Sequence, residues 1–358
     1  MSTVVIMAGG TGGHIYPALA VGTELRARGV NVCWMGVRSG PEAQLVRTAG
    51  FEFDAIRVKG LWGKGWMRWM TLPLWISISL WQSVGIILNR RPDLMLGMGG
   101  YVCGPGGMAA AMLRRPLIIH ESNAIAGLTN RILAVMAMRV LSGVEKSDLG
   151  RKAVFTGTPV RAEILAAAKQ KPAFEGNHDQ PLNLLIIGGS QGADALNQAL
   201  PKALSGQPED LLPNIKHQTG SGRTDKVSAA YQTLGIEAEV VDYISDMAQA
   251  YVWADIVVAR AGAMTIAELS AMGLAVVLVP MPHAARGHQR ANAEVLMRLG
   301  AAIVCLQNSD FESKLRIELM NLISNRDRVR ELAERIRANG RPDATNAVVE
   351  HCMEALEA

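Results

Sequence analysis

Two glycine-rich segments that contain a hydroxyl residue introduce the two halves of this chain. Residues 9–14 (GGTGGH) follow the apolar run 3–8, and residues 188–192 (GGSQG) follow the apolar run 183–187. Glycine lets the backbone approach a phosphate closely, and the free N–H groups at the start of the following helix attract an anion. Either segment alone is a weak signal. The pair predicts two nucleotide-binding α/β units and a cleft that suits a nucleotide-linked substrate and an acceptor.

A third glycine cluster, residues 97–105 (GMGGYVCGP), also lies between a predicted strand and a predicted helix. The first loop differs from the dinucleotide-binding fingerprint, because Ile15 stands where GxGxxG requires its third glycine. The second predicted strand also ends without an acidic residue for a ribose. A nicotinamide-dependent dehydrogenase is therefore disfavoured.

The second half carries its most specific segment at residues 260–268 (RAGAMTIAE), directly after the predicted strand Ile256–Ala259. Residues 262–265 are expected to begin a helix whose backbone donors, with the Thr265 hydroxyl, face a diphosphate. Glu268 follows one turn later, where a carboxylate can accept two hydrogen bonds from a ribose diol. The helix dipole alone would also favour an acidic residue there. Further on, the run HQRANA at 288–293 places polar groups after a strand, where α/β proteins bind ligands.

Composition and length predict a packed two-domain α/β protein. The chain has 358 residues, is 49% hydrophobic and contains 36 glycines. Its four cysteines lie far apart, without a CxxC pair or metal-ligand spacing, which favours a reduced cytoplasmic protein. The first apolar run is short and no basic segment precedes it, so we expect no signal peptide.

Charge is distributed unevenly between the two halves. Residues 1–160 contain 17 Lys and Arg against 8 Asp and Glu, a net charge of +9, whereas the rest contains 19 against 24, a net charge of −5. The first half should therefore meet an anionic partner, and nucleic acid and an acidic membrane both fit on charge alone.

Tryptophan is concentrated in one segment of the first half. Five of the seven tryptophans lie there, with Lys or Arg on both sides: Trp62, Trp66, Trp69, Trp75 and Trp81. The uncharged run 69–89 is long enough for a transmembrane helix, but Pro73, Gly85 and several polar residues interrupt it, so we reject that interpretation. Tryptophan flanked by cations is typical of a membrane interface, whereas nucleic-acid stacking would need the two to alternate. An interface is favoured before Pro73; beyond it, an interface and a buried helix stay open.

Alternating strand and helix signals predict parallel sheets with helices on both faces. In the first half, strands are predicted at 3–8, 32–36, 93–97 and 116–120. In the second half they are predicted at 182–187, 215–219, 239–242, 256–259, 275–280 and 301–305. The polar stretch 169–181 is interpreted as the connection into the second domain.

Seven motifs in order resemble those of the MurG family of peptidoglycan glycosyltransferases. They are GGTGGH, GGYVCGP, HESNAIAGLTN (120–130), GTPVR (157–161), GGSQGA, AGAMTIAE and HQRANA, and they span nearly the whole chain. The resemblance implies a GT-B fold, with two Rossmann-like α/β domains whose parallel sheets face a deep cleft. Residues 1–160, with a C-terminal helix at about 341–358, would bind the acceptor and the membrane, and residues 161–340 would bind the UDP-sugar donor.

The resemblance also implies an activity. It is the inverting transfer of N-acetylglucosamine from UDP-N-acetylglucosamine to the C4 hydroxyl of the N-acetylmuramoyl unit of lipid I, giving lipid II in peptidoglycan synthesis. The implied partners are these two substrates and an anionic membrane surface, and nucleic acid is not expected as a partner. The implied location is the cytoplasmic face of the inner membrane. Binding to other cell-wall synthesis proteins stays an open possibility. The alternative is another GT-B UDP-sugar enzyme, either a glycolipid glycosyltransferase or a UDP-N-acetylglucosamine epimerase. Such an enzyme should lack GGYVCGP and HESNAIAGLTN, and both are present.

Residues of this chain that match the family's motifs are implied to make the family's ligand contacts. The implied donor-binding residues are Thr11, Gly12, Gly13, Asn123, Arg161, Ser190, Ile244, Ala263, Met264, Thr265, Ile266, Ala267, Glu268 and Gln289. Within this set, Ser190 would touch the diphosphate, Ile244 the uracil and Gln289 the transferred sugar. Gly99, Gly100 and Tyr101 would form the loop for the acceptor pyrophosphate. Cys103 replaces a serine of many relatives, which puts a hydroxyl contact there in doubt.

The implied reaction needs a base on the acceptor hydroxyl and positive potential at the leaving diphosphate. No D-x-D sequence occurs, so we predict no metal site and no required cofactor, and an optional Mg²⁺ on the diphosphate stays open. Helix termini and Arg161 would stabilise the leaving group instead. His14 is the first candidate base, because an imidazole titrates near neutral pH, and ordering the loop is its alternative role. Glu121 is the second candidate base.

Overall fold

Parallel sheets flanked by helices form the chain, as the alternating pattern predicts, and the α/β fold class is confirmed. The computed structural model describes residues 1–58, 66–176, 180–189, 191–208 and 211–358; for 66–72, Arg151 and Ala285 it describes the backbone only. The chain divides into two units. Unit 1 contains Met1–Arg161 and Pro342–Ala358, and unit 2 contains Ala162–Arg341.

Unit 1 is built on a seven-stranded parallel sheet of order β3-β2-β1-β4-β5-β6-β7. Its strands are β1 (Thr3–Met7), β2 (Asn31–Val37), β3 (Glu52–Ile56), β4 (Leu94–Gly97), β5 (Leu117–Glu121), β6 (Arg139–Ser142) and β7 (Ala153–Phe155). Its first five helices are α1 (Gly12–Ala27), α2 (Glu42–Thr48), α3 (Trp66–Arg90), α4 (Cys103–Met112) and α5 (Leu128–Leu133). The 3-2-1-4 order places a topological switch point between β1 and β4, where ligands of α/β proteins bind.

Three strands of unit 1 were missed from the sequence, and each has a physical reason. β3 (EFDAI) carries two carboxylates and lies at the sheet edge, so it lacks a buried apolar run. Both carboxylates pair with Arg90, whose Nε lies 2.8 Å from Asp54 and which also contacts Glu52. β6 and β7 have only four and three residues. Arg90, one of the cations that flank the tryptophan-rich segment, is therefore paired with β3.

Unit 2 repeats the same order in a six-stranded parallel sheet, β10-β9-β8-β11-β12-β13. Its helices and strands are α6 (Ala162–Gln170), β8 (Asn183–Ile187), α7 (Asp194–Leu204), β9 (Asn214–Gln218), α8 (Thr224–Thr233), β10 (Glu239–Val241), α9 (Met247–Trp253), β11 (Ile256–Ala259), α10 (Ala263–Met272), β12 (Ala275–Leu278), α11 (His288–Arg298), β13 (Ile303–Val304), α12 (Phe311–Ser324) and α13 (Arg326–Ala338). Every strand predicted in the second half is present, with bounds shifted by one or two residues.

Alternate residues of β1 enter different cores, because side chains of a strand point to opposite faces. Val4 and Ile6 pack with α1 and with the last helix, α14 (Ala344–Glu357), whereas Val5 and Met7 pack with α3, α4 and α5. Arg28 of α1 lies 2.5 Å from Glu350 and ties α14 to this face. The C-terminal helix therefore packs in unit 1.

From Trp66 onward, the tryptophan-rich segment forms α3, with Pro73 inside the helix. In the part of the chain that the structure describes, no helix is both long enough and apolar enough to cross a membrane.

Candidate active site

The loops that follow β1 and β4 contact each other at the switch point of unit 1. A Cβ atom on Gly100 would lie 2.2 Å from the carbonyl oxygen of Gly9, and one on Gly10 would lie 3.2 Å from Cε1 of Tyr101. Gly10 and Gly100 also have φ values of +94° and +88°, which favour glycine. Glycine is thus required at both loops for their mutual packing, in addition to any ligand that they bind.

His14 and the predicted pyrophosphate loop are brought together by this packing. A Cβ atom on Gly99 would lie 2.3 Å from Nδ1 of His14, so the half-buried imidazole covers that glycine. The backbone N–H of His14 donates to Thr11 at 3.0 Å, in the turn that begins α1. The candidate base and the candidate acceptor loop, which are 85 residues apart in sequence, therefore form one site.

Glu42 supports the first loop from behind, and sequence reasoning missed it. Its fully buried carboxylate accepts the N–H of Val37 at 3.0 Å and that of Gly10 at 3.3 Å. A Cβ atom on Gly9 would lie 2.5 Å from this carboxylate, so the loop packs directly on it. Burial and the charge of Glu42 raise the pKa of Tyr101, so that phenol remains protonated. From the sequence, Glu42 resembled an ordinary acidic residue at a helix start.

Glu121 organises the loop of residues 121–130. One oxygen accepts the N–H and the side-chain amide of Asn123, at 3.0 and 2.9 Å, and the other accepts Gly127 and Asn130, both at 3.0 Å. The carboxylate is buried and already accepts four hydrogen bonds. This geometry fits a residue that positions the loop, and it holds the Asn123 amide within that loop. The role of Glu121 as second candidate base stays a prediction.

Arg161 and the first loop share a neighbour. The Arg161 guanidinium lies 4.9 Å from the ring centre of Tyr16, and that ring would lie 3.1 Å from a Cβ atom on Gly12. His120 Nε2 contacts the carbonyl of Gly157 at 2.9 Å, which links the HESN and GTPVR motifs. Burial lowers the pKa of His120, so this imidazole is neutral.

Cys103 makes a contact of its own in place of the expected hydroxyl. Its Sγ lies 3.2 Å from both the carbonyl of Met7 and the carbonyl of Gly99. Burial raises the pKa of this thiol to about 12, so it remains protonated and can donate a hydrogen bond. The thiol is thus placed to donate to the carbonyl at the end of β1 or to that of Gly99.

In unit 2, α10 begins at the carboxyl end of β11 as the sequence predicts. Gly262 caps it in an extended conformation, and no acidic residue lies in its first turn. Within the predicted set, Ala263, Thr265, Ile266 and Ala267 are half-buried and Met264 is buried. Glu268 is only 3% exposed and accepts the Tyr251 hydroxyl at 3.2 Å. The predicted ribose contact is therefore held in place by α9.

Two amide side chains connect the remaining donor-site predictions. Gln218, at the end of β9, donates to the carbonyl of Gly189 at 3.0 Å and accepts the N–H of Ile244 at 3.2 Å. Asn292 of α11 donates to the carbonyl of Ala261 at 3.2 Å, which holds α11 beside the start of α10. Sequence reasoning missed the role of Gln218, because it lies inside a predicted strand.

Other predicted residues are placed individually. Gln289 accepts the N–H of Met281 at 2.9 Å, and Thr11 is exposed at the start of α1. Gly13 lies in the first turn of α1. Ser190 and Trp62 lie outside the described residues.

Of the five tryptophans in the tryptophan-rich segment, the two with described side chains have different environments. Trp81 is 81% exposed, whereas Trp75 is half-buried and lines an apolar cavity. Trp66 and Trp69 lie in the part of α3 that is described by its backbone only. Of the two possibilities left open beyond Pro73, Trp81 fits an interface and Trp75 fits a packed helix.

Among the described residues, no group of three or more His, Cys, Asp and Glu side chains is arranged to hold a metal ion.

Comparisons with known proteins give a consistent result. Residues 4–142 match the glycosyltransferase family 28 N-terminal domain, and residues 183–348 match the family's C-terminal domain. An Alkalilimnicola ehrlichii relative, named UDP-N-acetylglucosamine–N-acetylmuramyl-(pentapeptide) pyrophosphoryl-undecaprenol N-acetylglucosamine transferase, is 44% identical over 351 residues, 98% of each chain. A relative of the same name from Azoarcus sp. is 44% identical over 100% of this chain and 99% of its own length. The crystal structure of Acinetobacter baumannii MurG has a TM-score of 0.83 at 34% identity, covering 99% of this chain and 100% of that chain.

The contact between the two loops of unit 1 generates a stability prediction. Gly100→Ala should destabilise unit 1 by about 3 kcal/mol or more, because it adds a steric clash with Gly9 to the cost of a positive φ. Gly29→Ala is the matched control. Gly29 has a φ of +83° and no atom within 4 Å of the added Cβ, so only the cost of about 1–2 kcal/mol for the left-handed conformation applies.

The two units need not unfold together, so the readout must be local. Hydrogen exchange of the β1 and β4 amides should become faster as unit 1 loses stability, whereas exchange of the β8 and β11 amides should not change. Equal losses of stability in Gly100→Ala and Gly29→Ala would contradict the close contact between Gly100 and Gly9.

Proposed function

The chain belongs to glycosyltransferase family 28, and from this premise we propose that it transfers N-acetylglucosamine from UDP-N-acetylglucosamine to lipid I. Lipid I is the N-acetylmuramyl-(pentapeptide) pyrophosphoryl-undecaprenol acceptor, and the product is lipid II of peptidoglycan synthesis. Transfer to the C4 hydroxyl inverts the configuration at the anomeric carbon of N-acetylglucosamine. The observation that carries the proposal is the 44% identity, over 98% of both chains, to a relative whose name states this donor and this acceptor. The same relative disfavours the alternatives, a glycolipid glycosyltransferase and an epimerase.

The donor half of the reaction is assigned to unit 2. The start of α10 offers backbone N–H groups and the Thr265 hydroxyl, and a helix N-terminus attracts a diphosphate. Glu268, oriented by Tyr251, would accept the ribose hydroxyls. Ile244, whose N–H is held by Gln218, would contact the uracil.

The acceptor half is assigned to unit 1. His14 would take the proton from the attacking hydroxyl, and the Gly99–Gly100 backbone would bind the acceptor pyrophosphate. We propose no required cofactor, because the N-terminus of α10 would supply positive potential to the leaving diphosphate. An optional Mg²⁺ stays open and is tested by adding the metal or a chelator.

Labelled UDP-N-acetylglucosamine and a water-soluble lipid I analogue test this function directly. The wild-type protein should form the disaccharide and release UDP, and without acceptor it should leave the sugar unepimerised. His14→Ala should lower kcat by about 10²–10⁴-fold, because the hydroxyl loses its base, while the Kd of UDP stays near that of wild type.

His14→Gln keeps a side chain over Gly99 and should lose as much activity as His14→Ala. His351→Ala, in α14, is the control and should remain active. Near-normal turnover in both His14 variants would remove His14 as the base. Weakened UDP binding instead would identify it as a residue that orders the loop.

The position of Glu268 generates a prediction for donor affinity. Glu268→Ala should weaken UDP binding by about 1.5–3 kcal/mol, roughly 10- to 150-fold in Kd, because a charged hydrogen-bond acceptor is lost. Calorimetry with UDP measures this, and acceptor affinity should not change.

Glu268→Gln tests the charge while preserving the buried volume, and Tyr251→Phe removes the hydroxyl that orients the carboxylate. Both should weaken UDP binding less than Glu268→Ala does. Glu334→Ala, an exposed carboxylate of α13, is the control. Unchanged UDP affinity in Glu268→Ala would contradict the assignment.

A peripheral association with the cytoplasmic face of the inner membrane completes the proposal. Leu74, Trp81 and Leu88 recur every seven residues along α3, so they share one helix face, and they are 60%, 81% and 58% exposed. α4 packs on α3 and on α5, and both add large exposed apolar side chains, among them Met112 and Ile132. With the net charge of +9 over residues 1–160, this surface suits an anionic bilayer.

Trp81→Glu should weaken co-sedimentation with vesicles of anionic phospholipid at low salt, because it places a charge in the apolar stripe. Binding of the wild-type protein should also decrease as salt increases. Ile317→Glu is the matched control, since Ile317 is 59% exposed on α12 of unit 2. If the two variants bind alike, or if wild type does not bind at all, this surface has no role in membrane association.

A further inference from the structure

An apolar cavity of about 170 Å³ lies between α3, α4 and α5 of unit 1. Its lining includes Trp75 and Ile76 of α3, Gly104 and Met108 of α4, and Leu128 and Ile132 of α5. The hydroxyl of Ser79, which also lines it, lies 2.7 Å from the carbonyl of Arg57 and 2.6 Å from that of Trp75. The walls thus present mainly hydrocarbon.

The cavity is continuous with the loop assigned to the acceptor pyrophosphate. Tyr101 belongs to that loop and also lines the cavity, and Gly104 and Pro105 in the next turn do the same. A polyprenyl chain is bonded directly to its pyrophosphate, so its first carbons must leave the loop within a few bond lengths. The cavity is the apolar space that meets them there.

We propose that this cavity binds the first isoprenoid unit of the acceptor's polyprenyl chain. The inference rests on the proposed function, and it adds a lipid subsite to it. A dry engineered cavity of about 150 Å³ holds one benzene molecule, so the volume here suits a five-carbon branched unit. Burial of this unit stabilises the bound acceptor, so the enzyme prefers a pyrophosphate with a prenyl tail to a pyrophosphate with a polar tail.

Substitution at Gly104 can fill the cavity. A Cβ atom there would lie 3.6 Å from Cγ2 of Thr129, an ordinary contact, so the side chain of Gly104→Leu enters the cavity without a backbone clash. Gly85→Leu is the matched control, because Gly85 lies in α3 with no atom within 4 Å of an added Cβ. Both changes raise helix propensity and should permit folding.

The assay compares two soluble acceptors without vesicles or detergent. They carry the same sugar pyrophosphate, one with a ten-carbon prenyl chain and one with an oligo(ethylene glycol) chain of equal length. Wild type and Gly85→Leu should show a KM at least about tenfold lower for the prenyl acceptor. In Gly104→Leu the two KM values should become similar, and the Kd of UDP should not change.

Met108→Gln and Met112→Gln form a second pair on α4. Met108 lines the cavity and Met112 does not, so only Met108→Gln should reduce the preference for the prenyl acceptor. Equal KM values for both acceptors in wild type, or a preference that persists in Gly104→Leu and in Met108→Gln, would overturn the inference. Loss of vesicle binding in Gly104→Leu with an unchanged preference would assign the cavity to the bilayer and overturn it as well.

A failure of the proposed function is distinguishable from a failure of this subsite. If wild type transfers sugar to neither acceptor, the proposed function fails, and calorimetry with geranyl pyrophosphate then tests the cavity alone. Binding that is tighter than that of inorganic pyrophosphate, and is weakened in Gly104→Leu but not in Gly85→Leu, would support the subsite. Equal binding of the two pyrophosphates would overturn it.

Discussion

The contact between the loops after β1 and β4 is the constraint on which the candidate site of unit 1 depends. Gly100 can lie against the carbonyl of Gly9 only because it lacks a side chain and because β1 and β4 are parallel neighbours. The same contact brings Gly99 under His14, so the candidate base is positioned by backbone packing. Glu42 supports the other side of the first loop, because its carboxylate accepts the N–H of Gly10 and also that of Val37 at the end of β2. A site held in this way is organised before any ligand binds.

Unit 2 achieves a comparable order with different interactions. Gly192 has a φ of +70°, and a Cβ atom there would lie 1.9 Å from the carbonyl of Thr219, so its glycine loop also packs on a neighbouring loop. The residues proposed to bind the donor are held by buried polar side chains; Gln218, for example, joins Gly189 to Ile244. Buried polar groups of this kind are costly if unpaired, so each pairing limits the loop to one arrangement.

The sequence predicts those features that depend on local pattern. Buried apolar runs revealed most strands, and glycine loops after strands revealed the edges at which ligands bind. β3 was not predicted, because its two carboxylates pair with Arg90, which lies 36 residues or more away in the sequence. The side chains that support the loops were missed for the same reason. Glu42 and Gln218 form hydrogen bonds with loop residues that lie 26 to 32 positions away in the sequence. Only the folded chain brings such partners together, and a single sequence contains no sign of the pairing.

The chemical order of the acceptor corresponds to the order of features along unit 1. His14 lies on Gly99, the Gly99–Gly100 loop continues into Tyr101, and Tyr101 lines the cavity that α4 and α5 complete. α3, which contributes to the cavity wall, also presents the exposed stripe that contains Trp81. In the proposed acceptor, a sugar hydroxyl, a pyrophosphate, a prenyl chain and a bilayer follow one another in the same sequence. An acceptor whose tail is held in the cavity would have its pyrophosphate at the loop already, so lipid binding would contribute directly to orientation at His14.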